Sequence, residues 1–321
     1  MILARRDFAD TKECMQRKNN IDAVGAGVLM VCVTLMGLNN GLIKLVNEGL
    51  APAFQAGMRS AFALVPLAAY MLIVRKRISI SDGSLAPGIF TGTLFAVEFL
   101  LLFIALDYTT VSRASVFFYS MPLWVAIGAH FLIPGERLTR VRTAGLLLAI
   151  GGVALALSQS DTQASEYSLI GDFMCILAAM CWAGIPLVAR TTRFSNAVPE
   201  MQLLYQLVVS ALILTAVAPL FGDVIRDLTP TIAGIFVFQS FVVVAFGFTL
   251  WFWVLSVYPA SDMAAYSFLT PVIAVCFGWV VFDDQITVTF LLALFLVGAG
   301  IVLVTRKPRA AQRRPSPPGG A

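Results

Sequence analysis

One stretch of this chain, Ser112 to Leu157, occurs twice, and the second copy constrains the fold more than any other feature. At a constant shift of 149 residues, Ser112 falls on Ser261, Pro122 on Pro271 and Gly151 on Gly300. Each copy is an apolar helix with an internal proline, then a short polar turn, then a second apolar helix. A period this long is far above that of a solenoid and indicates duplication of a whole helical block. The blocks also agree at their starts, where Cys32 to Gly41 lies on Cys175 to Gly184.

The medium follows from composition. Only 12% of the 321 residues are charged and 59% are hydrophobic, against about 25% charged in soluble domains. A membrane-crossing helix takes about 20 mostly apolar residues. Ten stretches qualify, near 23–46, 52–74, 85–106, 111–133, 141–158, 169–190, 199–221, 231–256, 260–282 and 288–305. Residues 1–21 and 306–321 are polar tails flanking a first repeat at 22–159 and a second at 168–305. With the N-terminus taken as cytoplasmic, the inner segments hold 18 of the 22 lysines and arginines, and the outer loops hold one, Arg226. That asymmetry predicts cytoplasmic termini and an even number of spans in a cell (inner) membrane. Ten spans in two blocks of five then require the second block to enter the bilayer from the opposite face. The expected fold is an all-α integral membrane protein of ten transmembrane helices arranged as two inverted five-helix repeats, with a solute site near the midplane between them.

The residues at this point resemble a known family. Asn39 to Lys44 closes the first helix, Met58-Arg59-Ser60-Ala61-Phe62 lies in the second, and Arg113 to Pro122 precedes Gly135-Glu136-Arg137-Leu138-Thr139 and a glycine-bearing fifth helix. In order and doubling these resemble the drug/metabolite transporter superfamily, in its EamA branch of ten-span, two-repeat carriers, over residues 22–305. The second copy departs from the family pattern at Gln285, where a glutamate is usual. The resemblance implies secondary transport, with export of amino acids or related compounds as a common activity.

Ionisable groups inside the spans point to where a solute would bind, because a charge at the bilayer centre costs about 2.5–3.5 kcal/mol on insertion scales. Five stand out: Lys44, Arg59, Glu98, Arg113 and Asp262. Lys44, Arg113 and Asp262 lie about two residues inside helix ends and can snorkel to the interface. As repeat equivalents, Arg113 and Asp262 would put a cation near the outer mouth and an anion near the inner one, a gating arrangement. Arg59 and Glu98 lie deeper, seven and eight residues from the outer ends of their helices, roughly 10 and 12 Å at 1.5 Å per residue. They form either a buried ion pair or two walls of a cavity. In the second case Arg59 would attract a carboxylate, and Glu98 would take an amine or a coupling proton, a role suited to a carboxylate in so dry a place.

Aromatic and amide side chains would complete the cavity. Candidates are Asn39 with Asn40, Tyr119 ahead of Pro122, Trp182 at the place of Asn39 in the second repeat, Trp251 on the Gly247 face, and Tyr266 ahead of Pro271. The same residues also serve as packing or interfacial anchors. Pro122 and Pro271 are expected to bend their helices and free carbonyls toward the centre. Gly88-x-x-x-Gly92, Gly151-Gly152 and Gly298-x-Gly300 suggest close helix contacts. None of them ends in the Gly-Lys-Ser/Thr of a phosphate loop, so no nucleotide or other cofactor is expected. Cys14, Cys32, Cys175, Cys181 and Cys276 are dispersed, and His130 is the single histidine. This pattern offers neither a metal site nor the nucleophile–base constellation of a membrane-embedded enzyme. The Glu136–Arg137 turn is expected to cap the fifth helix. Expected partners are the lipid bilayer, a small-molecule solute and protons, with no nucleic acid; a homodimer stays open. A multidrug or cationic-compound exporter and a non-transporting membrane sensor are the alternative readings.

Overall fold

The structure is a computed structural model, and it describes residues 22–74, 79–134, 136, 138–158, 167–247, 250, 254, 257, 266 and 269–305. In the first repeat, α1 is Ala23–Asn47, α2 Pro52–Ile73, α3 Leu85–Tyr108, α4 Val111–Phe118, α5 Met121–Leu132 and α6 Arg140–Leu157. The second repeat holds α7 (Ser168–Thr191), α8 (Pro199–Val217), α9 (Pro230–Phe238, continuing as a π-helical segment over Gln239–Phe246), α10 (Leu269–Phe282) and α11 (Val288–Thr305). Their ends carry local signals. Asp22 accepts from Gly25 N at 2.8 Å to start α1, prolines open α2, α8 and α9, and Thr110 accepts from Arg113 N to start α4.

Among the described residues, eight helices are long and apolar enough to cross a membrane when α4 and α5 are taken as one span. Of the expected spans at 231–256 and 260–282, Pro230–Val244 and Leu269–Phe282 are apolar helices of shorter length, and most residues between them lie outside the described set. The span at 111–133 is broken, not merely bent. Pro122 has no N–H for the Phe118 carbonyl, and its ring crowds that carbonyl, which favours a break there, although α2 and α7 run on through Pro66 and Pro186. Accordingly α4 ends at Phe118, α5 begins at Met121, and Ser120 Oγ satisfies the Phe117 carbonyl at 2.6 Å.

The two halves lie upside down to one another. Equivalent helices α6 and α11 pack together in opposite directions: a Cβ on Gly145 would come within 2.6 Å of Leu303 Cβ, and one on Gly152 within 2.8 Å of the Ala293 carbonyl oxygen. Only small residues allow two backbones so close. The equivalents α2 and α8 also cross antiparallel, with Ser210 Oγ donating to Ser60 Oγ at 3.0 Å while Gly57 faces Thr215. Around this seam the buried core gathers α3, α4 and α7 side chains, including Phe103, Phe117, Cys175 and Ala178.

The molecule has two unlike ends. One carries the α5–α6 and α7–α8 loops and is rich in arginine; it is called the basic end below. The other carries the α1–α2, α3–α4 and α8–α9 connections.

Candidate functional site

A cavity of about 710 Å³ runs between the halves, from the middle of α1, α2 and α3 to the basic end. Its inner part is walled by Asn39, Arg59, Glu98, Tyr119 and Trp182, all named from sequence, and its mouth by Glu136, Arg142 and Arg190. The remaining wall is mostly apolar, with Phe95, Phe99 and Phe118 prominent.

Arg59 is 4% exposed, with its guanidinium carbon 4.3 Å from the centre of the Phe99 ring and 4.8 Å from that of Phe103. Aromatic faces at that distance stabilise a desolvated cation. Its Nη1 donates to Asn39 Oδ1 at 3.1 Å. Glu98 is 1% exposed, makes no ion pair with Arg59, and its Oε2 has no hydrogen-bond partner. Of the two arrangements the sequence allowed, a closed Arg59–Glu98 pair is therefore not the one formed. The two charges stand on one cavity without touching. Tyr119 Oη donates to the Met36 carbonyl at 3.3 Å, which holds its ring beside the break between α4 and α5.

Other sequence candidates sit elsewhere. Arg113 does not snorkel; it is 3% exposed and held by Asp172, with Nε at 3.1 Å from Oδ2 and a second contact through Nη2. Thr109 Oγ1 also donates to Asp172 at 2.7 Å, and Lys44 Nζ donates to the Thr109 carbonyl at 2.8 Å. This network seals the end opposite the mouth. Tyr266 packs against Leu29, Val254 and Val257 and is not on the cavity wall. Asn40, by contrast, does line the cavity, and it donates to Ser115 Oγ at 3.1 Å, tying α1 to α4. Trp251 and Asp262 lie outside the described residues. Glu136 does not cap α6, a task taken by Thr139, which accepts from Arg142 N at 3.4 Å. Glu136 instead pairs with Arg190 at the mouth, and the hydrogen bond from that guanidinium holds its carboxyl below the usual carboxylate range. His130 Nδ1 accepts from Leu138 N at 3.2 Å and so serves the α5–α6 loop.

Sequence reasoning missed three residues here. Asp172 lies three residues inside its apolar stretch, a position that by itself reads as interfacial. Gln55 and Gln239 carry no charge and so escape a search for intramembrane ions. Both are fully buried and join a hydrogen-bond chain to Asn39.

Residues 23–158 and 169–306 each match the EamA-like transporter family. The chain belongs to the EamA-like transporter family. It is a multi-pass membrane transporter of the drug/metabolite transporter superfamily, with two EamA repeats. Among its relatives, an uncharacterized transporter of Bacillus subtilis, YoaV, is 26% identical over 86% of this chain and 95% of its own length. A probable amino-acid metabolite efflux pump of Escherichia coli is 26% identical over 90% of this chain and 95% of its own. A solved crystal structure shares the fold at a TM-score of 0.59 and 17% identity, covering 88% of this chain and 96% of that one.

Proposed function

We propose that this EamA-like transporter exports an amino acid with a large apolar side chain, or a closely related zwitterion, by alternating access, with protons exchanged at Glu98. The observation that carries this reading is the pair of buried, opposite charges, Arg59 and Glu98, on one cavity without contact between them. Such a gap suits a solute whose carboxylate meets Arg59 and whose amine meets Glu98, while Phe95, Phe99 and Trp182 take its side chain. The volume lies in the roughly 300–1,000 Å³ range of small-molecule sites. The name of the Escherichia coli relative supports the substrate class.

Sidedness follows from charge. On the positive-inside rule the basic end and both termini face the cytoplasm. The open mouth then faces the compartment from which an exporter collects its solute. Glu98 on the cavity wall also suits a cationic drug, which has no use for Arg59.

The test is reconstitution in liposomes with labelled phenylalanine, leucine and a cationic drug, with and without an imposed proton gradient. Counterflow of the amino acids, raised by the gradient, is expected. Counterflow of the drug alone selects the cationic reading. No flux of any probe overturns transport of these solutes.

A further inference from the structure

A chain of buried amides leads from the cavity wall away from it, and every amide in it has only one possible orientation. Arg59 can only donate, so the atom of Asn39 that faces it must be the oxygen. Asn39 Oδ1 also lies 3.5 Å from Gln239 Nε2, so Gln239 presents its nitrogen there and turns Oε1 to Gln55 Nε2 at 3.2 Å. Gln55 Nε2 ends the chain on the Ile43 carbonyl, 3.5 Å away, which can only accept. A donor-only group at one end and an acceptor-only group at the other fix the polarity of all three amides between them. The consequence falls on Asn39. With its oxygen committed, Asn39 Nδ2 donates to no group among the described residues and is left on the cavity wall beside the Arg59 guanidinium.

We infer that Gln239 and Gln55 are positioning residues that set selectivity for carboxylate-bearing solutes, by holding Asn39 so that its Nδ2 and Arg59 form a two-donor carboxylate subsite. This rests on the proposed reading of the cavity as a zwitterion site. Neither glutamine lines the cavity, and both are fully buried, so neither touches the solute. Gln239 also opens the π-helical segment of α9, a local geometry frequent at functional sites. Arg59 fixes which atom of Asn39 faces it, and the second donor, Gln239 Nε2, fixes the tilt of that amide and so the direction in which Nδ2 points; without it Nδ2 swings away from the carboxylate position.

The experiment measures binding of L-phenylalanine and of L-phenylalaninamide to the purified full-length protein, and reads the ratio of the two affinities. The amide keeps the amine and the ring but removes the anionic charge. Gln239→Met is expected to lower the acid-to-amide ratio by about tenfold, on the scale of one hydrogen bond to a charged group. Gln55→Met, one link further out, is expected to lower it by about threefold. Binding of the amide should stay within about twofold in both, because a general loss of packing would weaken both probes alike. Thermal unfolding of each variant reports folding, and if Gln239→Met does not fold, the Gln55→Met ratio decides. A ratio unchanged in the folded variants, with the unaltered protein binding phenylalanine, overturns this inference and leaves the proposed function standing. Failure of the unaltered protein to bind phenylalanine overturns both.

Discussion

The two ends of the molecule tie the same two halves together by opposite means. At the sealed end the cross-repeat contacts are dry or backbone-based, apart from the partly exposed Arg226–Asp107 pair. Arg113 pairs with Asp172 in the interior, Asp284 Oδ2 accepts from Ser112 N at 2.8 Å, and Ala51 N donates to the Val224 carbonyl at 3.0 Å. Arg226 adds bonds of 2.8 Å to the Asn47 carbonyl and to Asp107. At the basic end the comparable pair, Glu136–Arg190, has side chains 36% and 48% exposed and borders the cavity mouth. Breaking one partner of a buried ion pair strands a charge and costs about 3–5 kcal/mol, whereas an exposed pair contributes about 0–1 kcal/mol. The conformation seen here is thus held shut by its dry end, and the wet end adds little.

The largest effect is expected from Asp172→Asn. It leaves the Arg113 guanidinium buried without its carboxylate and should destabilise the fold by about 3–5 kcal/mol, read as a fall in thermal midpoint in detergent. Adding Arg113→Met should restore most of that loss. A tolerated single change would erase the contrast between the ends. Glu98→Gln lies between the ends and should lower proton-driven accumulation by about tenfold or more while solute counterflow persists. Undiminished accumulation would remove protons from Glu98.

Smaller effects sharpen the comparison. Asp107→Asn weakens a half-exposed tie and should cost about 1 kcal/mol or less. It should also raise the rate at which a cysteine placed at Val224 is labelled by an aqueous reagent, as the sealed end opens more often. An unchanged labelling rate would show that Arg226 is not part of the seal. Glu136→Gln should change stability least, by under about 1 kcal/mol. The sign with pH is set by the lowered carboxyl: its contribution is complete above the ordinary glutamate pKa of about 4.3 and is lost as pH falls through the lower folded value. Thermal midpoints of the variant and the unaltered protein should therefore converge on acidification. A gap that widens in acid would reverse the assignment.

How much of this could be read from residues alone differs by property. Span length, duplication and inversion were legible because they depend on apolar run length and on parity, which are one-dimensional. Depth was legible in part, since rise per residue is fixed: it put Arg59 and Glu98 deep in their spans, but it read Arg113 as free to snorkel, whereas Arg113 is buried and paired with Asp172. Rotation about each helix axis was not legible. These helices are apolar on the faces that meet lipid and on those that meet protein, so periodicity gives no inward stripe. That is why the partner of Arg113 was not foreseen in Asp172, and why Tyr266 was assigned to a cavity it does not reach. The amides of Gln55 and Gln239 escaped for a related reason, because their significance lies in whom they face.

The antiparallel matching of α2 with α8 and α6 with α11 has an electrical consequence. Each backbone carries a macrodipole of about half a charge at either end, and in these matched pairs the dipoles oppose one another across the bilayer. These scaffold pairs therefore offer little net axial dipole to the membrane voltage, so that the potential acts on solute movement chiefly through the groups held or carried inside, namely Arg59, Glu98 and the cargo itself.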